Sequence, residues 1–85
     1  MLSFRRAAVT LEVEIDGDAV LGEVIDESEG DAAPATVTLQ RPDMVDRSVE
    51  ADASGFFRFD EVGPGSVRFV VARGGWSLTT PWATI

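Results

Sequence analysis

The sequence contains no cysteine, histidine, lysine, tyrosine or asparagine. Without cysteine there is no disulfide, no thiolate nucleophile and no Cys-based zinc site. Without histidine the chain lacks the side chain that titrates nearest neutrality, and with it Ser–His chemistry and imidazole metal ligation. Without lysine there is no Schiff base. Lysine and asparagine together would be needed for the internal amide cross-link of pilin-like sandwiches, and both are missing. Basic charge is scarce: seven Arg stand against fifteen Asp and Glu in 85 residues, a net charge of −8. Phosphate backbones and anionic lipid surfaces require clustered basic side chains, so neither nucleic acid nor membrane is an expected partner. Long apolar runs are absent from the opening MLSFRRAAV, which reads as neither a signal peptide nor a membrane span. With no cysteine to mark an oxidising compartment, the expected location is cytoplasmic.

What is present is ordinary for a globular chain: 45% apolar and 26% charged residues, in a length that suits one domain. A core must be continuous, because no covalent or Cys/His metal staple supports it. The acids are unevenly spread. Residues 1–40 hold two Arg and nine acids, net −7, whereas residues 41–85 hold five Arg and six acids, net −1.

Apolar side chains recur with period two, the signature of strands with one buried face. Thr10-Leu11-Glu12-Val13-Glu14-Ile15 places Leu11, Val13 and Ile15 on one side. Asp16-Gly17-Asp18 is a hairpin signal. From Ala19 to Ile25, Val20 and Val24 share one face and Leu21 and Ile25 the other. A charged stretch, Asp26-Glu27-Ser28-Glu29-Gly30-Asp31, leads to an alternating Thr36–Gln40, and Arg41-Pro42 ends it, since proline has no N–H for a ladder. Val49–Ala51, Phe57/Phe59, Val67/Phe69/Val71 and an extended Trp76–Ile85 follow, separated by Asp52–Gly55, Glu61–Gly65 and Gly74-Gly75. No helical periodicity survives a helix-length window.

The expected fold is therefore all-β: an antiparallel β-sandwich of about seven strands, transthyretin-like or immunoglobulin-like, spanning 1–85 as a single domain. Within it, residues 1–6 are read as a disordered start or the truncated end of a longer chain. The expected core is Leu11, Val13, Ile15, Val20, Val24, Val37, Leu39, Val49, Phe57, Phe59, Val67, Phe69 and Val71.

Reactive constellations weigh little beside their structural readings. Ser54 next to Asp52 and Gly55 has no base to activate it and reads as turn chemistry. The i, i+2 carboxylate pairs Asp16/Asp18, Glu12/Glu14 and Glu27/Glu29 read as solvated faces, because a chain this small has little room for a glycosidase-like cleft. The acidic stretch 26–31 offers hard oxygens but not the ligand order of a Ca²⁺ loop, so it reads as a solvated loop. No catalytic residue, cofactor or metal site is expected.

The strongest functional signal is apolar surface. Leu21, Ile25, Phe56 and Val70 fall on the outward phase of their strands, with Trp76 and Trp82 on the last segment near Arg68 and Arg73. Aromatic and Arg side chains on a surface have interface composition. These six residues are the expected binding surface for a protein partner or for self-association. The competing expectation is an extracellular structural or carbohydrate-binding module that uses Trp76 and Trp82.

Several segments together resemble a known family: Gly22-Glu23-Val24, Pro34–Leu39, Asp52-Ala53-Ser54-Gly55-Phe56-Phe57-Arg58-Phe59, Val62-Gly63-Pro64-Gly65 and Val67–Val71. In order and spacing they are similar to the carboxypeptidase regulatory-like, or transthyretin-like, β-sandwich, whose most specific run reads D-x-x-G-x-F-x-F before a Pro-Gly turn. The resemblance covers about residues 20–72. It implies an accessory module without chemistry of its own. The close, Thr79-Thr80-Pro81-Trp82-Ala83-Thr84-Ile85, resembles the tail of small cytoplasmic actinobacterial proteins encoded beside sigma factors and CHAT-type proteases. Exclusive use of Arg over Lys agrees with a GC-rich genome.

Overall fold

Alternating burial follows alternating sequence along most of the chain. In the computed structural model, which describes residues 1–27 and 34–85, the described residues form nine strands and no helix. They are β1 (Leu2–Arg6), β2 (Val9–Asp16), β3 (Ala19–Asp26), β4 (Thr36–Gln40), β5 (Arg47–Glu50), β6 (Phe56–Phe59), β7 (Ser66–Arg73), β8 (Trp76–Thr79) and β9 (Ala83–Thr84). One sheet has the order β1-β2-β3-β6. The other has β5-β4-β7-β8, with β9 also pairing β7. Every pairing is antiparallel. The fold is an antiparallel β-sandwich, with the inner faces of both sheets supplying its core.

Eleven of the thirteen expected core residues are buried, and Val9, Ala19, Ala35, Ala51, Val62 and Leu78 join them. Ile15 departs from expectation and is 41% exposed. The register explains it: β1 covers β2 only from Val9 to Val13, so Ile15 projects past the end of its outer neighbour. Val49, on the edge strand β5, is half-buried. At the centre, the Phe57 ring lies 5.9 Å from Phe59 at 69° and 6.5 Å from Phe69 at 55°. These are edge-on and tilted arrangements that suit aromatic quadrupoles. A methyl group on Gly22 would overlap the Phe57 ring, so that glycine lets the ring lie flat across β3.

Two strands differ from the sequence reading. Residues 2–6, to which that reading assigns no strand, form β1, with Leu2 and Phe4 turned towards the core. The two-residue loop Ala7-Ala8 closes it onto β2. Ala7 there holds φ +53°, where the other two-residue hairpins have Gly17 and Gly74. The final segment, read as one extended piece, is interrupted. Phe69 pairs with Thr80 through the Thr80 N–H at 2.9 Å, whereas Val67 pairs with Ala83. Pro81 and Trp82 therefore oppose Arg68 alone, which is a β-bulge. The Thr80 hydroxyl stabilises the break: it accepts from the Phe69 N–H at 3.0 Å and donates to the Pro81 carbonyl at 3.0 Å. Thr80 is the one buried polar residue among those described.

The loops are held by arginines. The Arg41 guanidinium donates to the carbonyls of Val62 and Pro64, fixing the β6–β7 connection. Arg47 donates to the Asp60 carbonyl at 2.6 Å and lies over the Phe59 ring. Arg73 meets Asp26 across the sheets at 3.5 Å.

Two measurements test this account. Thr80→Val keeps the shape but strands a buried N–H, so urea unfolding is expected to show a loss of about 1–3 kcal/mol. Ala7→Gly relieves left-handed strain at some cost in unfolded-chain entropy, and is expected to raise stability by less than about 1 kcal/mol. An unchanged urea midpoint for Thr80→Val would contradict the role given to its hydroxyl.

Candidate interaction face

Pairing register assigns each exposed side chain to a face. On the outside of the first sheet, β2 contributes Thr10, Glu12 and Glu14, and β3 contributes Leu21, Glu23 and Ile25. β6 contributes Phe56 and Arg58. The outside of the second sheet carries Thr36, Thr38 and Gln40 from β4, Ser48 from β5, and Arg68, Val70 and Ala72 from β7. Thr79 faces Val70 across the β7–β8 ladder. Half of these side chains, Thr36, Thr38, Ser48 and Thr79, bear hydroxyls.

The six expected interface residues consequently do not form one surface. Leu21, Ile25 and Phe56 share the first sheet's outer face. Val70 lies on the opposite side of the molecule. Trp82, re-aimed by the bulge, lies under the Arg68 guanidinium, whose centre is 4.5 Å from the ring. Arg68 in turn donates to Gln40 at 2.8 Å. Trp76 takes the inward phase and packs partly against the core. Period two alone identifies the outward phase of a strand but not which of two sheets the strand joins, so the sequence merged two faces into one. The tryptophans, on different faces, provide no joint platform for a sugar ring.

Phe56 is set in place by the turn before it. The Asp52 carboxylate accepts from the N–H groups of Ser54 and Phe56, each at 2.9 Å. The Asp52 N–H returns a 2.9 Å bond to the Phe56 carbonyl. Gly55 takes φ +87°, a left-handed conformation that favours glycine, and a side chain there would strike the Val24 carbonyl. The Asp52 carboxylate thus serves the backbone rather than the Ser54 hydroxyl. So held, Phe56 remains 53% exposed.

An open groove of about 730 Å³ runs over this face and round the corner to β5. Its apolar lining includes Leu21, Phe56, Phe57 and Val49, and its carboxylates are Glu12, Glu14, Glu23, Glu50 and Asp52. Glu12 and Glu23 are direct cross-strand partners, which sets their backbones about 5.5 Å apart. Both are half-buried, and neither forms an ion pair with a described residue. Arg58, the one arginine lining the groove, is engaged with Asp60 at 2.6 Å. Like charges facing one another across a ladder destabilise it, so this face carries an electrostatic cost that folding alone does not require.

Other chemistry finds no geometry here. Among the described residues no three acidic side chains gather as a metal-ligand set. Of the stretch 26–31 considered for Ca²⁺, only Asp26 and Glu27 lie among the described residues, and the rest, including Glu29, fall outside them. Among the described residues no helix is long and apolar enough to cross a membrane. Comparison with family models, with curated proteins and with solved structures finds no match.

The opposed carboxylates make a direct prediction. Glu12→Gln is expected to raise unfolding free energy by about 0.2–1 kcal/mol, with the gain shrinking as salt screens the parent. Denaturant melts at low and high salt measure both effects.

Proposed function

We propose that this chain is a non-catalytic protein-interaction module that docks its partner on the outer face of β2, β3 and β6. The carrying observation is the groove itself: an apolar strip through Leu21 and Phe56, bordered by five carboxylates, with its one lining arginine already paired to Asp60. A segment with apolar anchors flanked by Lys or Arg matches it, because such a partner fills the strip and relieves the Glu12–Glu23 repulsion together. Complementary charge also speeds encounter and rejects acidic competitors. The likeness to carboxypeptidase regulatory-like modules, which are accessory domains, supports a role beside another protein rather than a reaction. A cytoplasmic setting suits the cysteine-free composition.

Ile25 extends the apolar strip along β3 beyond the groove, whereas Val70, Trp76 and Trp82 lie outside it. The variants therefore separate cleanly. A short peptide with leucine and phenylalanine anchors between arginines is titrated into ¹⁵N-labelled protein, and its glutamate-for-arginine counterpart serves as control. The amides of Glu12, Leu21, Glu23 and Phe56 are expected to shift with the basic peptide alone, and less at high salt. Phe56→Glu is expected to abolish the response while spectral dispersion stays native, and Trp82→Ala to leave it unchanged. Equal binding of the acidic peptide, or a shift map centred on Val70 and Trp82, sinks the reading.

A further inference from the structure

Antiparallel sheets end in strands whose outer N–H and C=O groups have no partner, and each such edge is a template for another strand. Among the described residues this sandwich has four edges, and three are interrupted. At β6, Asp52 occupies the outward N–H and C=O of Phe56. The β8–β9 edge is broken by the bulge and by Pro81, which has no N–H. β5 has four residues and abuts β6 at the corner, where Arg47 crosses to the Asp60 carbonyl. The β1 edge has no such device. It runs five residues without proline, glycine or bulge. The Arg6–Val9 hairpin closure directs the backbone of Leu2, Phe4 and Arg6 to β2, and therefore points the N–H and C=O of Ser3 and Arg5 away from the sheet. No described residue hydrogen-bonds to those four groups.

We propose that β1 is a self-association edge, at which a second copy of this chain pairs antiparallel about a two-fold axis through Phe4. That register matches Ser3 with Arg5 of the second copy, and Arg5 with its Ser3, so all four free groups are used. An isologous pairing of this kind closes on itself. On the core-facing side the two Phe4 rings, each half-buried in the single chain, come together and complete their burial. On the outer side the order across the seam becomes Arg5, then Ser3, Glu12 and Glu23 of the second copy. Ser3 is small enough for the arginine to reach across it. Arg5 thereby supplies a cation to Glu12, which has no ion pair among the described residues of the single chain, where Arg5 meets the exposed Glu27 at 3.5 Å. Charge complementarity and edge geometry select the same register.

Sedimentation velocity up to about 1 mM protein tests this. The parent is expected to approach twice the 9.1 kDa of one chain as concentration rises. Arg5→Pro removes one outward N–H without touching the β2 ladder, and is expected to give a folded monomer. Arg5→Glu keeps every backbone donor, reverses the charge, and is expected to weaken the dimer at least about ten-fold. Adding Glu12→Arg to Arg5→Glu is expected to restore it. A parent that stays monomeric throughout overturns the proposal, as does a folded Arg5→Pro variant that still dimerises. A folded Arg5→Glu/Glu12→Arg pair that remains monomeric overturns the register. The readout is mass rather than peptide binding, so its failure leaves the groove reading standing.

Discussion

The sandwich depends on contact between two inner faces that no disulfide joins. With no disulfide available, the aromatic group Phe57, Phe59 and Phe69 anchors the join, surrounded by Leu11, Val20, Leu39 and Val71 at 0–2% exposure. β6 brings Phe57 and Phe59 to the first sheet and β7 brings Phe69 to the second, so the short β6–β7 connection carries both halves of the contact. That is why Arg41 is engaged with the carbonyls of this connection rather than with a carboxylate. Even the glycine at position 22 serves this centre, giving up a side chain so that a phenyl ring can cover β3.

The charge distribution follows from how the arginines are used. Arg41 and Arg47 bond backbone carbonyls, Arg68 is stacked on Trp82 and bonded to Gln40, Arg58 is paired with Asp60, and Arg73 reaches Asp26. Most of the chain's positive charge is thereby committed to holding loops and edges. The acids of β2 and β3 are left facing one another. A net charge of −8 is thus not a uniform coat. It is concentrated beside exposed Phe56 and Leu21, where apolar area and unneutralised charge make a surface with a definite chemical preference.

Much of the fold was legible in period two. Leu11, Val13, Val37, Leu39, Phe57, Phe59, Val67, Phe69 and Val71 are buried as their alternation implies, and the Asp52–Gly55 turn adopts the conformation its residue types require. β1 was missed because five residues with two adjacent arginines carry too few alternations to stand out, and because its hairpin loop is Ala-Ala rather than a glycine turn. Ile15 was misplaced because burial at a strand end depends on the neighbouring strand's length, which sequence does not encode locally. In the candidate surface the outward phase of Leu21, Ile25, Phe56 and Val70 is legible, but the sheet each belongs to is not, and Trp76 takes the inward phase. Face assignment needs the sheet order, and sheet order is a long-range property. The Glu12–Glu23 opposition was equally invisible without register.

The bulge at Pro81–Trp82 has a consequence for growth. A β-sandwich with unsealed flanks on both sides can be propagated copy upon copy into a fibre, because each added chain presents a fresh template. Here the C-terminal flank is kinked at the bulge and lacks a donor at Pro81, so only the four residues of β8 precede the interruption. A template cut this short holds an added chain by few bonds, and growth by repeated addition at that flank is disfavoured.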